Sequence, residues 1–196
     1  MPIYDINNTE IVHHNNFPLD EDVRHIEIGA SINCFGKRFF PNCYLTDMID
    51  IPLPHFSNSP EYSLGNCHFL DFRCNFFEID FRNKFFDMVI CCNPNGYGFR
   101  GLEFSKIFLN QAADILNTEG IIHVIGNSTN PWSKYDNASK YIEKLNESGD
   151  LTHALEISEL SILDEAHIYR NNHSYTRNNY SEEAVPNQLF TIRKIN

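Results

Sequence analysis

Seven short apolar runs, separated by helical or polar stretches, constrain this chain more than any other feature of its 196 residues. Runs this short, rich in Val, Ile, Phe, Cys and Tyr, read as strands. Their alternation with helical stretches reads as an α/β fold with a mostly parallel sheet. The first run is 23–28, stopped by Gly29, and the second is 43–46, stopped by Asp47. The third is 67–70, stopped by Asp71. The fourth, 86–92, is the most apolar and ends at Asn93-Pro94. The fifth, 121–125, is admitted by Gly120 and ends at Gly126-Asn127. Continuous apolar runs of this kind suit strands covered on both faces.

Between the fourth and fifth runs the spacing predicts a helix over 102–117, with apolar positions at 104, 107, 108, 112, 115 and 116. A second helix is predicted over 137–148, closed by Gly149 as a C-cap. The tail supplies the last two runs, 155–163 and 188–194, separated by a polar stretch over 173–186. They read as an antiparallel hairpin that ends the sheet.

No repeat or long linker divides the chain, so a single domain over 1–196 is expected, with 1–22 as an N-terminal segment. An apolar share of 42% with sixteen Phe and nine Tyr suffices for a core. No stretch approaches the ~20 apolar residues that cross a bilayer. The polar N-terminus carries no signal pattern, so a cytoplasmic compartment is the expectation. Cys34, Cys43, Cys67, Cys74, Cys91 and Cys92 lie mostly in or beside apolar runs and read as reduced core thiols. Cys67, His68 and Cys74 lack the paired spacing of a zinc site, and no metal is expected. The formal charge of −11 argues against a broad phosphate-binding surface. A long nucleic acid and a membrane are therefore not expected as partners; the expected partner is a small-molecule or protein acceptor. Seven carboxylates against one lysine over 143–165 read as a solvated face.

In an open parallel sheet, ligands bind beyond the carboxyl ends of the strands. Here those ends carry Glu27-Ile28-Gly29-Ala30-Ser31, then Asp47-Met48, then Asp71-Phe72, then Asn93-Pro94. Gly29 lets the backbone turn tightly and approach a ligand. Asp47, 20 residues after Glu27, is placed to accept both ribose hydroxyls of an adenosine. Asp71 suits an adenine amino group, with Phe72 as an apolar wall and Met48 over the other ring face. Each acid is equally what a turn or helix N-cap would use. Glu27 is harder to explain that way, because a carboxylate inside an apolar run is costly unless paired. Order and spacing together point to an adenosine-type ligand.

These residues resemble the class I S-adenosylmethionine-dependent methyltransferases. Glu27-Ile28-Gly29-Ala30 looks like the opening of that family's first motif, and Asp47 and Asp71 match its ribose and adenine acids. Phe86-Asp87-Met88-Val89-Ile90 resembles its fourth-strand motif, and Leu116-Asn117-Thr118-Glu119-Gly120 its turn before strand five. The first loop departs from Gly-x-Gly-x-Gly, reading Gly29-Ala30-Ser31-Ile32-Asn33, with the next glycine at Gly36. The resemblance implies a three-layer Rossmann-like sandwich with a seven-stranded sheet and S-adenosylmethionine as cofactor. It also implies a methyltransferase, with Glu27, Gly29, Ala30, Ser31, Asp47, Met48, Asp71, Phe72 and Asn93 around the cofactor.

The loop from Asn93 to Phe99 resembles, without matching, the Asn/Asp-Pro-Pro-Tyr motif of amino-group methyltransferases. Asn93 and Tyr97 are the candidate catalytic residues, and Tyr97 or Phe99 would stack on a planar acceptor. The stretch from Gly126 to Trp132 is a second candidate wall, and His13 and His14 would belong to a lid. Two other readings stay open. A nicotinamide-dependent oxidoreductase would want Gly-x-Gly-x-x-Gly in the first loop, which lacks it, and a Tyr-x-x-x-Lys pair, which is missing. A methyltransferase fold turned to non-catalytic binding or regulation would account for the altered glycine loop.

Overall fold

A computed structural model describes residues 3–5, 10–11, 22–30, 36, 40, 42–47, 71–73, 75–78, 81, 85–92, 94–127, 129–163, 175–176, 179–180 and 187–195. The chain divides into two compact units, residues 1–92 with 115–120 and residues 93–114 with 121–196.

The first unit is a sheet. Its strands are β1 (Ile3–Asp5), β2 (Glu10–Ile11), β3 (His25–Ile28), β4 (Cys43–Asp47), β5 (Phe72–Arg73) and β6 (Phe86–Cys92). β3 lies between β4 and β6 and runs parallel to both, with Ile28 opposite Thr46 on one side and Cys91 on the other. β5 extends the parallel set beside β4, and β1 joins β5 and β2 antiparallel. The apolar runs at 23–28, 43–46 and 86–92 thus fall on strands. Ile26, Leu45, Phe86, Val89 and Ile90 are wholly buried, as strands covered on both faces require. The run at 67–70 lies outside the described residues, and the described strand begins after Asp71.

At the amino ends of these strands Arg24 grips Asp87 through two bonds, Nε to Oδ2 at 2.9 Å and Nη2 to Oδ1 at 2.8 Å. The guanidinium holds the Asp87 carboxyl below its usual range. Asn117 Nδ2 donates to the same Oδ1 at 2.5 Å.

That bond belongs to a departure from the sequence reading. β7 spans Leu116–Asn127, opening in the first unit and continuing in the second. Residues 116–120, expected as a turn, are strand. Phe86 N–H donates to the Ile115 carbonyl at 2.8 Å, so partners on β6 recruit a stretch whose composition suggests a turn. A Cβ at Gly120 would lie 3.0 Å from the Phe86 carbonyl oxygen and 2.9 Å from Leu116 Cδ2.

The second unit holds α1 (Leu102–Asp114) and α2 (Tyr135–Ser148). Its strands are the rest of β7, β8 (Leu155–Ile157), β9 (Ser161–Leu163), the small hairpin β10 (Tyr175–Thr176) with β11 (Asn179–Tyr180), and β12 (Asn187–Lys194). β12 runs antiparallel to β7, β8 and β9, which is the expected C-terminal hairpin. The single expected run at 155–163 is broken because Ser158 leaves the ladder: its N–H donates to the Thr191 carbonyl and its Oγ accepts the Thr191 N–H.

α1 ends three residues early, at Asp114, because Ile115 and Leu116 are taken by the sheet. Its buried face is Ser105, Phe108, Leu109, Ala112 and Ala113, whereas Phe104 and Ile107 remain 49% exposed. The expected stripe is thus rotated toward the small residues. Buried Ser105 is satisfied by donating to the Gly101 and Gly98 carbonyls. Phe108 packs against Tyr97 and Phe99, and Phe99 and Tyr135 meet Phe190 of β12. α2 starts at Tyr135 rather than 137 and closes at Gly149, as expected (φ 71°, N–H to Asn146 O).

Candidate functional site

In the first unit, β3 ends at Ile28 and Gly29 takes φ 62°, a left-handed turn that glycine adopts without strain. Ala30 is then buried and its N–H donates to the Thr46 carbonyl at 2.9 Å. Thr46 is wholly buried, and its hydroxyl donates to the Glu27 carbonyl at 2.9 Å. The ends of β3 and β4 are therefore locked together where the candidate site begins.

Glu27 is wholly buried, and its Oε2 accepts the Gly36 N–H at 2.6 Å. A Cβ on Gly36 would sit 2.5 Å from Cys43 Sγ and 3.1 Å from that Oε2. The Gly36 carbonyl in turn accepts the Phe40 N–H at 2.7 Å. Glu27 therefore holds the chain that follows the first loop. Gly36 is the residue sequence reasoning passed over; its signal was being the next glycine after the altered loop.

Asp47 closes β4 and is half-buried. Asp71 is pinned to the same strand, its Oδ2 accepting the Leu45 N–H at 2.8 Å and its own N–H donating to the Leu45 carbonyl at 2.9 Å. The next pair in register is Phe72 opposite Thr46, then Arg73 opposite Asp47. The two predicted acids thus belong to one strand end. Of the other predicted residues, Ser31, Met48 and Asn93 lie outside the described residues, as do His13 and His14.

In the second unit the two predicted walls come together. Asn130 Nδ2 donates to the Pro94 carbonyl at 2.9 Å, and the Phe99 N–H donates to the Trp132 carbonyl at 2.8 Å. Asn137 Nδ2 of α2 donates to the Phe99 carbonyl at 3.1 Å. Tyr97 is buried against Phe108. Arg100 lies over the Trp132 ring at 5.3 Å, and Phe104 meets that ring edge-on.

A cleft of about 590 Å³ in the first unit is lined by Arg24, Asp87, Asn117, Thr118 and Glu119. It lies at the amino ends of β3 and β6, away from the end where open parallel sheets bind ligands. Its lining is polar, and its principal charges already satisfy each other.

No protein-family model and no curated protein matches the sequence. Solved structures do match the fold. One is named as an antibiotic related methyltransferase, at 13% identity and TM-score 0.58, covering 98% of this chain and 100% of that one. Another is a variant of the 16S rRNA (adenine(1408)-N(1))-methyltransferase from Catenulisporales acidiphilia with its cosubstrate SAM, at 6% identity and TM-score 0.58, covering 100% and 98%. A third, a 30S ribosomal methyltransferase from an uncultured bacterium, is 12% identical with TM-score 0.54 and full coverage of both chains. The chain shares the Rossmann-like α/β fold of these solved methyltransferases.

The expectation that a long nucleic acid is an unsuitable partner is corrected by the same comparison. The fold is shared with a protein named as a 16S rRNA methyltransferase and with one named as a 30S ribosomal A1408 methyltransferase. A formal charge of −11 sums the whole chain, whereas nucleic-acid recognition responds to the local field at one face. No described helix is long and apolar enough to cross a membrane.

Proposed function

We propose that this chain is a methyltransferase that uses S-adenosylmethionine, with the carboxyl ends of β3 and β4 as the cofactor cradle. One observation carries the reading: Gly29 turns at φ 62° beside a strand that ends in Asp47 and has Asp71 pinned two residues earlier, at Leu45.

These residues fit the group. Two carboxylates accept hydrogen bonds from ribose hydroxyls and an adenine amino group, which are donors. Gly29 leaves room for backbone approach, and Ala30, bonded to Thr46, fixes where the first loop leaves the sheet. Glu27 acts one step back, its carboxylate holding the Gly36 N–H. Bound S-adenosylmethionine would supply an activated methyl group for in-line displacement. The protein's work is then to orient the acceptor and exclude competing geometries.

The acceptor side is read at Asn93 to Phe99 and Gly126 to Trp132. Asn93 and Tyr97 are its candidate catalytic residues, and a small molecule or a protein side chain is the acceptor class carried forward.

Calorimetry with S-adenosylhomocysteine tests the cradle. Saturation at 100 times the dissociation constant stabilises the fold by about 2.7 kcal/mol, read as a raised melting temperature. Asp47→Ala removes hydrogen bonds to a charged acceptor worth ~1.5–3 kcal/mol and weakens binding roughly 10- to 100-fold. No binding by the unmodified chain would refute the reading. Small-molecule, protein and RNA acceptors enter the same labelled-methyl assay, and the acceptor class is read from which one takes up label. Binding without transfer to any of them would favour the non-catalytic module instead.

A further inference from the structure

We propose that Asn130 is the positioning residue of the acceptor side, making the segments after β6 and after β7 one preassembled wall. Assigning that wall to the acceptor rests on the methyltransferase reading; the brace itself rests on geometry alone.

The Asn130 carboxamide is used at both ends. Its Oδ1 accepts the Trp132 N–H at 2.9 Å, two residues on, which is an Asx-turn. That turn presents Nδ2 to the other segment, where it donates to the Pro94 carbonyl at 2.9 Å. A short side chain with one donor end and one acceptor end is what both bonds need together, and aspartate supplies only the acceptor. The two segments also meet along their backbones. Phe99 N–H donates to the Trp132 carbonyl, and Gly98 packs so closely that a Cβ would lie 2.5 Å from that same oxygen. Pro94 and Trp132 are both buried, and Asn130 between the segments is half-buried.

The chemistry gives the seam a use. Displacement at a methyl group depends on where the acceptor atom sits, and a misplacement of about 1 Å costs roughly 100-fold in rate. A wall stitched before the acceptor arrives avoids ordering two separate loops in the complex.

The discriminating variant is Asn130→Asp, which keeps the Asx-turn and loses the cross-segment donor; Asn130→Ala loses both. Trp132 is the only tryptophan of the chain, so its fluorescence reports on this seam. In the full-length protein, Asn130→Asp shifts Trp132 emission to the red and opens it to acrylamide quenching. Affinity for S-adenosylhomocysteine stays within about twofold of the unmodified chain, as expected for independent sites. Methyl transfer to the acceptor that takes up label falls by about 100-fold. Unchanged emission in Asn130→Asp overturns the brace, and shifted emission with undiminished transfer overturns its positioning role. If the unmodified chain binds no S-adenosylhomocysteine, the cofactor reading fails while the emission test still decides the brace.

Discussion

At the residue scale, the glycines separate into two kinds that the sequence alone does not distinguish. Gly29 and Gly149 are required by backbone conformation, with φ of 62° and 71°. Gly36 and Gly120 are required by space, because a Cβ at each would meet another atom at 2.9 Å or closer, and Gly98 answers to both, with φ 102° and a Cβ 2.5 Å from the Trp132 carbonyl oxygen. Nothing lies within 4 Å of a Cβ at Gly149, so Gly149→Ala isolates the conformational cost. Left-handed backbone costs a non-glycine residue roughly 1–2 kcal/mol, and denaturant unfolding of that variant should show a loss in this range. Gly120→Ala should cost about 1–3 kcal/mol by overpacking instead, and a smaller side chain at Leu116 should recover part of it. The C-cap was legible in the sequence because it follows a helical run. Glu27 was legible as an anomaly, a carboxylate within an apolar strand. Its partner was not, since nothing in the spacing shows that the chain returns its Gly36 N–H to that carboxylate nine residues later.

At the element scale, strands defined by their own composition were readable and strands defined by their partners were not. β6 matches the apolar run at 86–92 at both ends because seven consecutive apolar or half-buried positions leave no other choice. β7 begins at Leu116 because β6 offers partners to Ile115 and Asn117. The face of α1 was misplaced for a related reason. Side-chain size at Ser105, Ala112 and Ala113 permits closer packing than Phe104 and Ile107 would, and helical period alone does not rank the two faces. His123 supplies a prediction at this scale. It stands on β7 opposite Thr191 of β12, and burial pushes its imidazole below the ordinary value of 6.5. The folded state therefore holds this proton less tightly than the unfolded state does. Its contribution to stability is complete above about pH 6.5 and is lost as pH falls toward the lowered folded value. Unfolding free energies measured between pH 7 and 5 should decline less steeply in His123→Gln than in the unmodified chain. Equal slopes would show that another group carries the dependence.

At the scale of the whole molecule, the segments of the two compact units alternate along the chain, residues 115–120 belonging to the first unit and 93–114 to the second. Apolar periodicity does not reveal such a division, because it depends on contacts between residues far apart in sequence. The cysteines test the chain as a whole. Cys43, Cys91 and Cys92 are free thiols, each 2% exposed or less, and they lie on β4 and β6 among apolar side chains. Burial at this depth keeps a reagent from the sulfurs, so these three should react slowly with a thiol reagent in the folded chain. All six cysteines read from the sequence as reduced, so unfolding in denaturant without reductant should release six titratable thiols. A fast native phase of at most three thiols, followed by full titration on unfolding, is the expected result. Fewer than six in denaturant would reveal a disulfide. More than three in the fast native phase would mean that the sheet of the first unit opens readily, which its buried parallel strands argue against.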